Sequence, residues 1–132
     1  MSSQTARTLR TRLGRVRGLG SAKEGVAHWW GQRLTAIAMV PLVVWFALSL
    51  AALAGAPHQT VVAWIKSPLA AVLLVALLVA VFYHLALGVQ VVIEDYVHTE
   101  WRKLALVITV KLASALAALI GVFSVLRIAF GA

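Results

Sequence analysis

The chain has 132 residues, 62% of them hydrophobic and only 12% charged, with a formal net charge of +8 and no cysteine. A water-soluble domain of this length has too little interior to hide so much apolar side chain, so the composition points to a membrane protein. The missing thiols exclude disulfides, cysteine-ligated iron–sulfur clusters and thiol catalysis, and no basic groove interleaved with aromatics marks a nucleic-acid partner.

Residues 1–25 read as a basic N-terminal arm, with Arg7, Arg10, Arg12, Arg15, Arg17 and Lys23 set against Glu24 alone. The first 17 or so residues are expected to be solvated and poorly ordered. Residues 26–132 read as the membrane-embedded part. An Arg-rich, acid-poor start resembles a transit peptide, and "ALAGA" at 52–56 resembles a signal-peptidase site. The apolar run before "ALAGA" begins only at Leu34 and is too long for a signal h-region, so both readings are set aside.

Three stretches match the roughly 20 apolar residues that a helix needs to cross a bilayer. They are 34–56, with Thr35 and Ser49 as its polar side chains; 67–93, which holds His84 and Gln90; and 104–126, which holds Thr109, Lys111, Ser114 and Ser124. Helices are expected because each backbone N–H and C=O in lipid must be paired within the segment. The connections are short, "GAPHQTVVAWIK" and roughly "EDYVHTEWRK", and no internal repeat is visible. Arg102 and Lys103 join the basic arm on one side, against Lys66 and Arg127 on the other. The positive-inside rule then predicts a cytoplasmic (or matrix) N-terminus and an external C-terminus.

The first span opens on "HWWGQRLTA", His28 to Ala36. Trp29 and Trp30 read as headgroup-level anchors, and Arg33 either pairs with an anionic group of a cofactor or faces lipid phosphate. In the second span His84 lies about 15 Å from the cytoplasmic end at helical rise, too deep to snorkel. An ionisable residue there costs roughly 2.5–3.5 kcal/mol on insertion scales and is a functional candidate by default. Three roles are open to it: an interhelical hydrogen bond, a proton path, or ligation of a metal. Gly88 follows one turn on, on the same face, where its missing side chain admits either a flat ring or a close helix. If a porphyrin iron is held, this chain supplies one axial ligand and the second must come from another chain.

Asp95 comes eleven residues after His84; eleven steps of about 100° return within about 20° of the same face, displaced by about 16.5 Å. Asp95 and Tyr96 therefore stand where the helix emerges. A carboxylate beside a phenol there suits binding and protonation of a polar-headed, lipid-soluble molecule; the plainer reading is a solvated helix end with a belt tyrosine. Lys111, seven residues into the third span, reads as a snorkelling lysine, with a propionate partner as the second reading.

Together, "VRGLGSAKEG", "HWWGQRLTA" and the later His-x3-Gly-x-"QVVIEDYVH" resemble the smaller membrane-anchor subunit of alphaproteobacterial-type succinate dehydrogenase, respiratory complex II, over about residues 16–126. The resemblance implies an all-α anchor of three transmembrane helices, forming half of a six-helix bundle with a sister anchor subunit. It implies a haem b shared between the two anchors, with His84 as this chain's axial ligand to the metal. It implies a ubiquinone site at the cytoplasmic interface, with Tyr96 on a quinone carbonyl and Asp95 beside it. Arg33, and less directly His28, match residues near the haem and quinone region. The implied partners are the sister anchor, the iron–sulfur subunit, the flavoprotein subunit and membrane lipid, in a bacterial inner membrane or its mitochondrial counterpart. The anchor of a quinol:fumarate reductase is the nearest alternative. A small transporter with His84 as proton relay, or a cofactor-free scaffold, is the rival from another class.

Overall fold

The computed structural model describes residues 11–18 and 23–131, the side chains of Arg15, Lys23 and Glu24 excepted. Arg7 and Arg10 of the basic arm, and residues 19–22 of "VRGLGSAKEG", lie outside the described residues. Among the described residues five helices follow one another: α1 (Arg12–Val16), α2 (Lys23–Leu53), α3 (His58–Lys66), α4 (Pro68–Tyr96) and α5 (Glu100–Phe130). Three of them, over Gly25–Leu53, Pro68–Tyr96 and Glu100–Phe130, are long and apolar enough to cross a membrane. The expected three-span, all-helical architecture is what the chain adopts.

The helices overrun the hydropathy limits because hydrogen-bonded backbone does not stop where apolar side chains do. At about 1.5 Å per residue, 29 residues extend well beyond a hydrocarbon core of about 30 Å. Asp95 and Tyr96 lie on the last turn of α4, and only residues 97–99 separate α4 from α5. At its far end α2 stops at Leu53, three residues short of the expected limit, where Gly55 takes a φ of 76° that closes the turn.

The connection "GAPHQTVVAWIK" contains a helix that hydropathy did not show. In α3 the apolar Val61, Val62, Trp64 and Ile65 are half-buried while His58, Gln59, Thr60 and Lys66 face outward, the pattern of a helix lying in an interface. Its Trp64 ring stacks on Trp45 of α2, with centroids 5.7 Å apart. Ser67 joins α3 to α4: its hydroxyl donates to the Trp64 carbonyl at 2.7 Å and accepts from the Ala70 N–H at 3.4 Å. Pro68 follows at the first helical position, where a missing N–H costs nothing.

α4 is the central element, packed along both α2 and α5, with α3 against the far ends of α4 and α5. Among the described residues the buried apolar ones, Ala70, Leu74, Leu77, Ala80, Leu87 and Ile93, all belong to α4, and Ser114 of α5 joins them. Lipid tails are as apolar as leucine, so close packing rather than hydrophobic expulsion holds such helices together. Two glycines show it. A Cβ on Gly31 would stand 3.2 Å from both Leu87 Cδ1 and the Tyr83 hydroxyl, and one on Gly121 3.1 Å from Leu78 Cδ1.

Candidate functional site

The polar residues of α2 and α4 meet in one seam. His28, Gln32 and Thr35 are spaced i, i+4, i+7 along α2, and His84, Gly88 and Val91 have the same spacing along α4. Residues so spaced share a helix face. The two helices run antiparallel, so Thr35 reaches His84, Gln32 lies beside His84 and Gly88, and His28 and Val91 border the same groove.

His84 is half-buried and contacted at both ring nitrogens. Thr35 Oγ1 lies 3.0 Å from Nδ1 and Gln32 Nε2 lies 3.4 Å from Nε2. The Thr35 hydroxyl also donates within its own helix, at 2.6 Å from the Gly31 carbonyl and 3.2 Å from that of Gln32. Beyond Gln32 opens a groove of about 490 Å³, bordered by His28, Trp29, Gln32, Arg33 and Gly88. Two buried polar atoms there have no hydrogen-bond partner, His28 Nε2 and Gln32 Oε1. Leaving such atoms unpaired costs roughly 1–3 kcal/mol each.

Arg33 stands at the mouth, its guanidinium 5.5 Å from the centroid of the Trp29 ring, and Trp29 meets Trp30 edge-on at 5.0 Å. The stacked position keeps the guanidinium's donors available. Among the described residues the one ion pair is Lys103 with Glu100, at 3.2 Å. Among the described residues no carboxylate pairs with Arg33. Gly88 contributes space rather than close helix contact. A Cβ at that position would meet only Gln32 Nε2, at an ordinary 3.6 Å, and would project into the groove.

The structure therefore brings His28, Arg33, Gly88 and His84 together. Asp95 and Tyr96 stand apart from them, exposed on the last turn of α4; Tyr96 is 79% exposed. Neither makes a side-chain hydrogen bond among the described residues, while neighbouring Glu94 accepts from the Gln90 amide at 2.7 Å. Lys111 is exposed and lines a different groove, of about 420 Å³, between α4 and α5 with Tyr83 and Ser114. It borders no part of the groove at Arg33.

Gln32 and Thr35 are the site residues that composition did not single out. Their signal was present in the His28–Gln32–Thr35 spacing, which sets three polar side chains on one face of an otherwise apolar helix. Among the described residues no three His, Cys, Asp or Glu side chains gather as they would around a free metal ion.

Residues 7–118 match the family model described as succinate dehydrogenase/fumarate reductase transmembrane subunit. The chain is 35% identical to a succinate dehydrogenase hydrophobic membrane anchor subunit of Rickettsia bellii, over 81% of this chain and 86% of that protein. It is 29% identical to the subunit of the same description from Paracoccus denitrificans, over 87% and 88%, and 33% identical to that of Rickettsia conorii, over 74% and 79%. No solved structure matches the chain.

Proposed function

This chain belongs to the succinate dehydrogenase/fumarate reductase transmembrane subunit family and is a membrane-anchor subunit of succinate dehydrogenase, and from that premise we propose that it binds haem b and ubiquinone. In this reading the anchor passes electrons from the iron–sulfur subunit to ubiquinone, in a complex with a sister anchor and the flavoprotein. All relatives named above carry the succinate dehydrogenase description, which favours succinate oxidation over fumarate reduction. The N-terminus and the α4–α5 turn lie in the cytoplasm and the C-terminus in the periplasm, a reading that the lysine and arginine distribution supports.

One observation carries the cofactor assignment: an imidazole held at both nitrogens within a membrane seam, beside a groove with two unpaired buried polar atoms. The residues present fit a haem. His84 offers a nitrogen ligand, Gly88 leaves the helix surface flat, and Arg33 and His28 offer donors to carboxylates. When bound, the haem supplies a one-electron redox centre. The chain's own part is positioning. His84 Nε2 would be the nitrogen that holds the haem iron, with Gln32 displaced from it. Arg33 would pair with a propionate, and His28 Nε2 would gain the partner it lacks.

Tyr96 and Asp95 serve the quinone. Their position at the end of α4, outside the hydrocarbon, lets a quinone head meet water-borne protons while its tail stays in lipid. The Tyr96 hydroxyl donates to a quinone carbonyl, and Asp95 orients it or relays protons. Two protons taken from the cytoplasmic side complete the quinol.

A reduced-minus-oxidised absorbance spectrum of the complex, purified through a tag on this chain, tests the haem assignment. A b-type signal that His84→Ala abolishes is expected; unchanged haem content in that variant rules out His84 as ligand. Tyr96→Phe is expected to lower quinone reduction at least tenfold while succinate oxidation by a soluble acceptor is kept. An equal fall in both activities contradicts the quinone role.

A further inference from the structure

Thr35 has a single hydroxyl hydrogen and three acceptors within reach of it. The Gly31 carbonyl lies 2.6 Å away, His84 Nδ1 3.0 Å and the Gln32 carbonyl 3.2 Å. The shortest contact is at full hydrogen-bond strength for O–H···O, and without its hydrogen it would set two lone pairs against each other. The hydrogen therefore goes to Gly31, as hydroxyls in membrane helices often bond the preceding turn. What remains on Oγ1 toward His84 is a lone pair, so the shared hydrogen belongs to Nδ1.

A neutral imidazole protonated at Nδ1 carries its lone pair on Nε2. Gln32 agrees, since its amide NH2 is the group 3.4 Å from Nε2 and can donate there. That contact is long and weak, and Gln32 Oε1 has no partner of its own. Gln32 is easily displaced from the nitrogen, whereas Thr35 is anchored to its own helix.

We propose that Thr35 is a positioning residue that fixes His84 as the Nδ1–H tautomer and presents Nε2 as the ligand for iron. This rests on the haem reading given above. An acceptor on the far nitrogen of a ligating histidine sets ring orientation and raises ligand basicity, and losing such a partner typically weakens metal binding roughly 10–100-fold. A more basic imidazole favours the more highly charged, oxidised iron. Removing the acceptor should therefore raise the haem's reduction potential as well as loosen the haem.

The test uses the whole complex with Thr35→Val, which keeps the shape and loses the oxygen, and Thr35→Ser, which keeps the hydroxyl. In Thr35→Val, haem transfer to an excess of a haem-scavenging protein is expected to quicken about 10–100-fold and the midpoint potential to rise. Thr35→Ser should restore both. Potential and transfer rate equal to wild type in Thr35→Val overturn the proposal, provided wild type holds haem and His84→Ala does not. A wild-type complex without haem removes the haem reading itself. A readout independent of any substitution is the 15N spectrum of histidine-labelled complex produced in haem-deficient cells. Protonated Nδ1 with pyridine-type Nε2 at His84 supports the proposal, and the opposite tautomer overturns it even if Thr35→Val fails to assemble.

Discussion

The two seams along α4 differ in polarity. Toward α5, Gly121 receives Leu78, the groove of about 420 Å³ is bordered mostly by apolar side chains, and Ser114 is the buried polar residue among those described. Toward α2 the helices also approach closely at Gly31, yet one turn away the seam is lined with His28, Gln32, Thr35 and His84 and opens into a groove. Both seams use glycine for contact, so packing alone does not explain the polar one. Polar groups between membrane helices contribute modestly, about 0.6 kcal/mol on average where measured. Two unpaired polar atoms in one seam are thus a net cost to the isolated fold.

Substitutions can break that contrast. The largest effect is expected from His84→Ala, which should remove essentially all haem yet leave the chain in the membrane, because the α4–α5 seam is untouched; membrane fractionation alongside the haem spectrum reads both. If the chain is degraded instead, the polar seam is structural as well. Gly88→Leu comes next. Its side chain would enter the groove without touching the α4–α5 contact, so haem content should fall several-fold while subunits still co-purify.

Gly121→Leu should do the converse. The new side chain meets Leu78 at a distance that forces a shift, an overpacking cost of about 1–3 kcal/mol, visible as a lower midpoint of thermal unfolding in detergent with haem per folded complex unchanged. Ser114→Ala is the mildest, with an expected change under about 0.6 kcal/mol in the same melt. A larger loss would show that the α4–α5 seam also depends on a polar contact.

Much of this was legible in the residues. The three spans, their helical state, and His84 and Gly88 on one face follow from hydropathy and the helical period, both properties of a segment by itself. Helix ends were less legible. Glu94, Asp95, Tyr96 and Glu100 are polar enough to end a hydropathy window, but nothing in them breaks a hydrogen-bond ladder. α3 was hidden for a related reason: nine residues with alternating apolar and polar faces satisfy neither a spanning nor a soluble pattern.

What the sequence determined alone, then, is a basic-ended, cysteine-free, three-span anchor with an imidazole within its second span. Only the tertiary structure decided that His84 faces Thr35 and Gln32 of α2 rather than Lys111 and Ser114 of α5. In water the apolar face of a helix announces which way is in. In lipid both sides are apolar, so a helix that is hydrophobic all round carries no such signal. The choice of neighbour is then left to close packing at positions such as Gly31 and Gly121, and those contacts exist only once the helices are assembled.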